Sequence, residues 1–158
     1  MKSSDFKNRR EESIVTASLK KIYLTALVPV VLSIVTMGLF EKGFSIPLIP
    51  VMRVPVYFSP LVFVTAVLMG LVLPLLLRTL FARKAALEGK VSTTAFFRFQ
   101  RQLLISAMVT PYLGITALVL ELQKFYVSAT LLMALYAIYY YYPSQRRIDF
   151  DKRIFRIR

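Results

Sequence analysis

The side chains of this chain that are able to do chemistry fall into three groups. The first is a set of hydroxyl, small and proline residues inside apolar runs: Thr25, Pro29 and Ser33; Ala66 and Gly70; Ser106, Thr110 and Gly114. Each set recurs every fourth residue, so on a helix each forms one stripe. Small residues on a stripe let a second helix approach closely. A proline there frees a backbone carbonyl, which hydroxyls or packed neighbours can satisfy. These stripes read as helix-packing surfaces. A substrate site inside a membrane span ordinarily carries an ionisable group as well, and no span interior here has one.

The second group is cationic. Arg53 is the single central charge of an apolar, proline-rich stretch, suited to a lipid phosphate or a partner carboxylate. Arg83, Lys84, Glu88 and Lys90 in mid-chain, and Arg146, Arg147 and Arg153 near the end, are candidate contacts for a partner or for anionic headgroups. The third group is Glu121 with Lys124. At a helix end they are expected to form an i, i+3 pair worth a few tenths of a kcal/mol. Glu121 lies too near the end of its apolar run for an ion-coupling carboxylate at the midplane.

Several chemistries lack their residues. Cysteine and histidine are both absent from the chain. That removes disulfides and the thiol nucleophile, and with histidine the commonest metal ligand, the usual haem ligand and the neutral-pH proton shuttle. No glycine-rich phosphate loop precedes a helix. The acids are expected to lie in water or at helix ends, so no carboxylate pair or Ser–Lys dyad is expected within a span. The expectation is a non-enzymatic protein with no catalytic, cofactor-binding or metal residues.

The elements that must position these groups are membrane helices. The chain is 57% hydrophobic, against about 45–50% for an ordinary soluble domain, and the excess is in blocks. Residues 22–40, 56–77, 103–122 and 125–142 are each close to the ~20 apolar residues that cross a bilayer. Residues 1–21 are a polar N-terminal segment, too long and too acidic for a signal-peptide leader, so the first run reads as a retained anchor. Residues 41–55 form a greasy outer loop holding Pro47, Pro50 and Pro55. It reads as a stiff interfacial connector, or else as a lid or docking surface. Residues 78–101 keep good helix formers as far as Glu88, then Gly89 and the hydroxyls Ser92, Thr93 and Thr94. The second helix is therefore expected to run about 15 Å beyond the membrane, turn, and return from a Ser or Thr cap. In the tail, residues 143–158, neither the helical nor the strand period fits cleanly. As a helix, Phe150, Ile154 and Ile157 would share a face.

Charge fixes the expected topology. Lys and Arg number six in each of residues 1–21, 78–101 and 143–158, while the stretches between hold only Lys42, Arg53 and Lys124. An even number of spans puts the three basic segments on one side, as the positive-inside rule requires. The net charge of +13 therefore reflects topology and anionic lipid rather than nucleic acid. The turn at Gln123 and Lys124 is short, which makes the last two spans antiparallel neighbours. The expected fold is an all-α integral membrane protein. It has four transmembrane helices as two antiparallel hairpins, both termini cytoplasmic, and a cytoplasmic helical extension between helices 2 and 3. It would lie in the plasma (inner) membrane. The expected function is an accessory or scaffolding subunit of a larger membrane complex, in contact with lipid and with other subunits or copies of itself. The alternative is a small homo-oligomeric transporter or channel for apolar or lipid-like molecules.

Overall fold

A computed structural model of the chain describes residues 2–43, 54–88 and 92–154. All regular structure among the described residues is helical. Helix α1 runs Lys2–Gly43, a single element in which the polar N-terminal segment passes into the apolar run without a break. No glycine or proline interrupts its first 26 residues, so nothing in the backbone ends the helix at the membrane boundary. Pro29 lies inside it.

The second long rod is continuous but not uniform. Helix α2, Phe58–Val67, passes into a π-helical segment, Leu68–Val72, and then into α3, Leu73–Glu88. The amide of Leu73 donates to the carbonyl of Leu68, five residues back. Pro74 explains the wider turn. It has no N–H to offer the carbonyl of Gly70, and its ring would collide with that carbonyl in a regular α-helix. A π turn relieves the collision. The rod continues past Leu77, where the expected span ends, to Glu88, as its helix formers predict.

Helix α4, Thr93–Val119, starts from Ser92, whose side-chain oxygen accepts from the Ala95 amide at 3.3 Å. It ends in a Schellman turn. The Leu122 amide donates to the carbonyl of Ala117, and the Glu121 amide to that of Leu118. Glu121 itself stands at φ 46°, in the left-handed region. Helix α5 follows at once, Lys124–Tyr140, and α6, Gln145–Ile154, closes the described chain. The tail is thus a helix, but its buried face is not the one expected. Ile148 and Asp151, three residues apart, point inward while Phe150 is 59% exposed.

Three stretches are long and apolar enough to cross a membrane: Thr16–Leu39, Phe58–Leu87 and Thr94–Val119. This is the architecture of a membrane protein. Helix α5 is 17 residues long, about 25 Å at 1.5 Å per residue.

The main core lies at the basic end of the helices. Leu19 and Tyr23 of α1, Phe96, Phe99, Leu104, Ala107 and Met108 of α4, Ala137 of α5, Tyr141 just past the end of α5, and Ile148 of α6 form one buried cluster. Phe81 of α3 stacks on Phe99 with ring centroids 4.2 Å apart. A smaller cluster of Val62, Ala117 and Leu122 sits at the opposite end. It holds the hydrophobic contact that accompanies the Schellman turn.

Candidate functional site

The densest polar arrangement among the described residues is at the basic end, where α6 meets α3 and α4. Arg78 Nη2 donates to Asp151 Oδ1 at 2.8 Å, and Gln100 Nε2 donates to Asp151 Oδ2 at 2.9 Å. Both carboxylate oxygens are therefore used. The Asp151 residue is 6% exposed, whereas a third of the Arg78 side chain meets solvent. Beside them the guanidinium of Arg147 lies 4.0 Å from the centroid of the Tyr140 ring, a cation–π contact. Small cavities of about 30 Å³ flank this joint, lined by Pro74, Gln100, Leu103, Tyr141 and Arg147 among others. They have room for water and not for a substrate.

This joint fastens the tail to two other helices. Its chemistry is satisfied internally: the acid is ion-paired and hydrogen-bonded, and among the described residues no buried side-chain nitrogen or oxygen lacks a partner. The expectation that the acids lie in water or at helix ends is corrected here. Asp151 is buried because α6 presents it on the same face as Ile148, three residues earlier. The signal was present in the tail, where of the two acids Asp149 and Asp151 only the second stands at i+3 from an apolar residue. It was masked by neighbouring cations and by Phe150 and Ile154, which suggested another face.

Two tyrosines bind helices together through backbone carbonyls. Tyr23 Oη donates to the carbonyl of Ile138 at 3.0 Å, linking α1 to α5. Tyr112 Oη donates to the carbonyl of Ala26 at 2.7 Å, linking α4 to α1.

The small-residue stripes fall in different places. Ala66, Gly70 and Thr110 are brought together. Thr110 is fully buried, and its hydroxyl makes a long 3.4 Å hydrogen bond to the Ala66 carbonyl. A Cβ built on Gly70 would stand 2.7 Å from that same hydroxyl oxygen. Gly114 faces α5 instead, where an added Cβ would lie 3.4 Å from the Ala134 Cβ. Ser106 is buried and donates back to the Leu103 carbonyl at 3.0 Å. Among the described residues the α1 stripe is not buried against another helix: Thr25 and Pro29 are exposed and Ser33 is half-buried. The Ser33 hydroxyl donates to the carbonyl of Pro29 at 2.8 Å.

Of the cationic candidates, Arg83 and Lys84 are exposed on α3 and Arg147 is half-buried in the joint. Glu88 is the last residue of α3, and Arg146 and Arg153 lie within α6. Arg53 and Lys90 fall outside the described residues, as does most of the proline-rich loop. The expected Glu121–Lys124 pair is not formed among the described ion pairs. The left-handed turn at Glu121 takes it out of α4, and Lys124 opens α5, so the two do not share a helical turn.

Among the described residues no cluster of three or more acids has metal-binding geometry. Compared with family models, curated proteins and solved structures, the chain matches none.

Proposed function

We propose that the protein is a four-span membrane protein with both termini and the central basic segment on the cytoplasmic side, acting as a non-catalytic accessory subunit of a membrane complex. The fourth crossing is α5, continued by the tyrosines up to Tyr142. Its length of 17 residues is at the short end of the spanning range, and interfacial tyrosines extend the reach of such a helix. The charge distribution supports the orientation.

The observation that carries the subunit reading is the placement of α1. Its basic end is held in the core through Leu19 and Tyr23. Further along, Leu24, Val28, Leu32, Val35 and Leu39 are each more than half exposed, and Thr25 and Pro29 share that outward surface. Pro29 has no N–H for the Thr25 carbonyl. A carbonyl without a donor is unfavourable against lipid, and a neighbouring transmembrane helix bringing small residues or a donor would relieve it. The internal chemistry of the chain supports the same reading, since Asp151, Arg78 and the Thr110 hydroxyl are engaged in holding helices together, and the buried Ser106 hydroxyl is satisfied within α4.

The test is purification of the tagged protein from its native membrane in a mild detergent. Recovery with another membrane chain in fixed proportion, lost on Pro29→Ala or Thr25→Leu, is the expected result. Recovery as a homo-oligomer would favour the transporter alternative, and recovery as a lone monomer contradicts the subunit reading.

A further inference from the structure

An open groove of about 580 Å³ runs between α3 and the start of α4. One side of it is apolar, formed by Leu77, Leu80 and Phe81, and the ring of Phe99 closes its back against Phe81. Its rim is polar and carries Lys84 from α3 and Arg98 and Gln102 from α4. All three rim residues are exposed. The hydroxyls of Ser92 and Thr94 lie at the same rim.

The order of these residues along α3 matters. Leu77 belongs to the apolar run, Arg78 begins the basic segment, and Leu80, Phe81 and Lys84 follow within two turns. The groove therefore starts in the apolar zone and ends among cations, passing through the level at which lipid headgroups would lie. A soluble anion would have no use for the leucine and phenylalanine wall, and a wholly apolar ligand would have none for two cations. The combination fits a molecule with both parts.

We propose that this groove is a binding site for one anionic phospholipid, with an acyl chain along Leu77 and Leu80 and the phosphate between Lys84 and Arg98. The orientation inferred above places the groove at the cytoplasmic headgroup level, and the proposal rests on that reading for the leaflet but not for the binding. Charge complementarity selects the occupant. Two cations on facing helices can hold one phosphate between them, and Gln102 adds a donor on the same helix as Arg98. Such a lipid would also tie α3 to α4 across this groove.

The test uses the full-length protein in detergent, with native mass spectrometry after addition of phosphatidylglycerol or phosphatidylcholine of matched chain length. One phosphatidylglycerol per chain is expected to be retained, in preference to phosphatidylcholine. Removing each cation at a headgroup-level site is expected to weaken retention about fivefold, so Lys84→Gln/Arg98→Gln together weaken it about thirtyfold. The Lys20→Gln/Lys21→Gln protein has the same net charge and alters exposed cations of α1 outside the groove, and it is expected to retain the lipid. Lys84→Arg/Arg98→Lys is expected to restore binding, which excludes loss through misfolding. Equal loss in the two glutamine variants overturns the proposal in favour of diffuse charge attraction. Competition by glycerol phosphate at the same concentration as the lipid overturns it in favour of a soluble phosphate. The assay has no membrane sidedness, so a failure here and a failure of the orientation are separate results.

Discussion

Asp151 shows how one side chain decides the placement of a whole segment. A carboxylate buried to this degree is tolerated because both of its oxygens accept hydrogen bonds, one of them from a cation. The two ends of the ion pair are unequal, since Arg78 is a third exposed and Asp151 is not. Arg78→Leu leaves a buried carboxylate with one amide donor, and is expected to cost about 3 kcal/mol. Asp151→Asn leaves a guanidinium that water can still reach, and should cost about 1–2 kcal/mol. Thermal unfolding in detergent checks the order, and an equal or reversed cost would remove the asymmetry. Glu121 makes the opposite case, a residue ill suited to its backbone. Its φ of 46° is the C′ position of a Schellman turn, where glycine is usual. Left-handed backbone costs an L-residue about 1–2 kcal/mol, part of which glycine returns as unfolded-state entropy. Glu121→Gly is therefore expected to stabilise the protein by about 0.5–1 kcal/mol, seen as a raised melting temperature. A lowered one would mean that the carboxylate contributes something that the turn alone does not. The turn was legible from its length. Its type was not, because the glycine that announces such a turn is missing.

At the scale of helices, the boundaries that depend on local chemistry could be read before the fold was known. Ser92 caps α4, and the helix formers after Leu77 carry α3 to Glu88. Features that depend on tertiary fit could not. The tail has no clean period because its docked face carries an acid, which no hydrophobic pattern counts. The π segment has no sequence signature beyond a glycine four residues before a proline, a pairing that also occurs in ordinary kinks. Its consequence is local and measurable, since it sets Gly70 against Thr110. Gly70→Ala is expected to destabilise by about 1–3 kcal/mol through overpacking. Adding Thr110→Ala removes the hydroxyl and methyl in the way, so the double variant should be no less stable than Thr110→Ala alone. A double-mutant cycle on melting temperatures gives the coupling. Additive effects would show that the two residues do not touch.

The whole molecule is held together at one end. The large buried cluster, the Phe81–Phe99 stack and the Arg78–Asp151–Gln100 joint all sit where the three basic segments converge. Toward the other end α1 turns much of its apolar surface outward. Under the proposed function, the basic end would be a fixed cytoplasmic platform and the outward face of α1 would meet lipid or another chain. The charge count that led to this orientation says nothing of packing, and packing says nothing of sidedness, so the two need an independent link. Single cysteines provide it, because the natural chain has none. The direct measurement is labelling of Ser92→Cys, Ser144→Cys, Val56→Cys and Gln123→Cys in intact cells with a thiol reagent that does not cross membranes. All four positions lie outside the helices of the structure. Labelling of Val56→Cys and Gln123→Cys from outside, with Ser92→Cys and Ser144→Cys labelled only after the membrane is opened, is the result predicted for four spans. Labelling of Ser92→Cys and Ser144→Cys from opposite sides would contradict it.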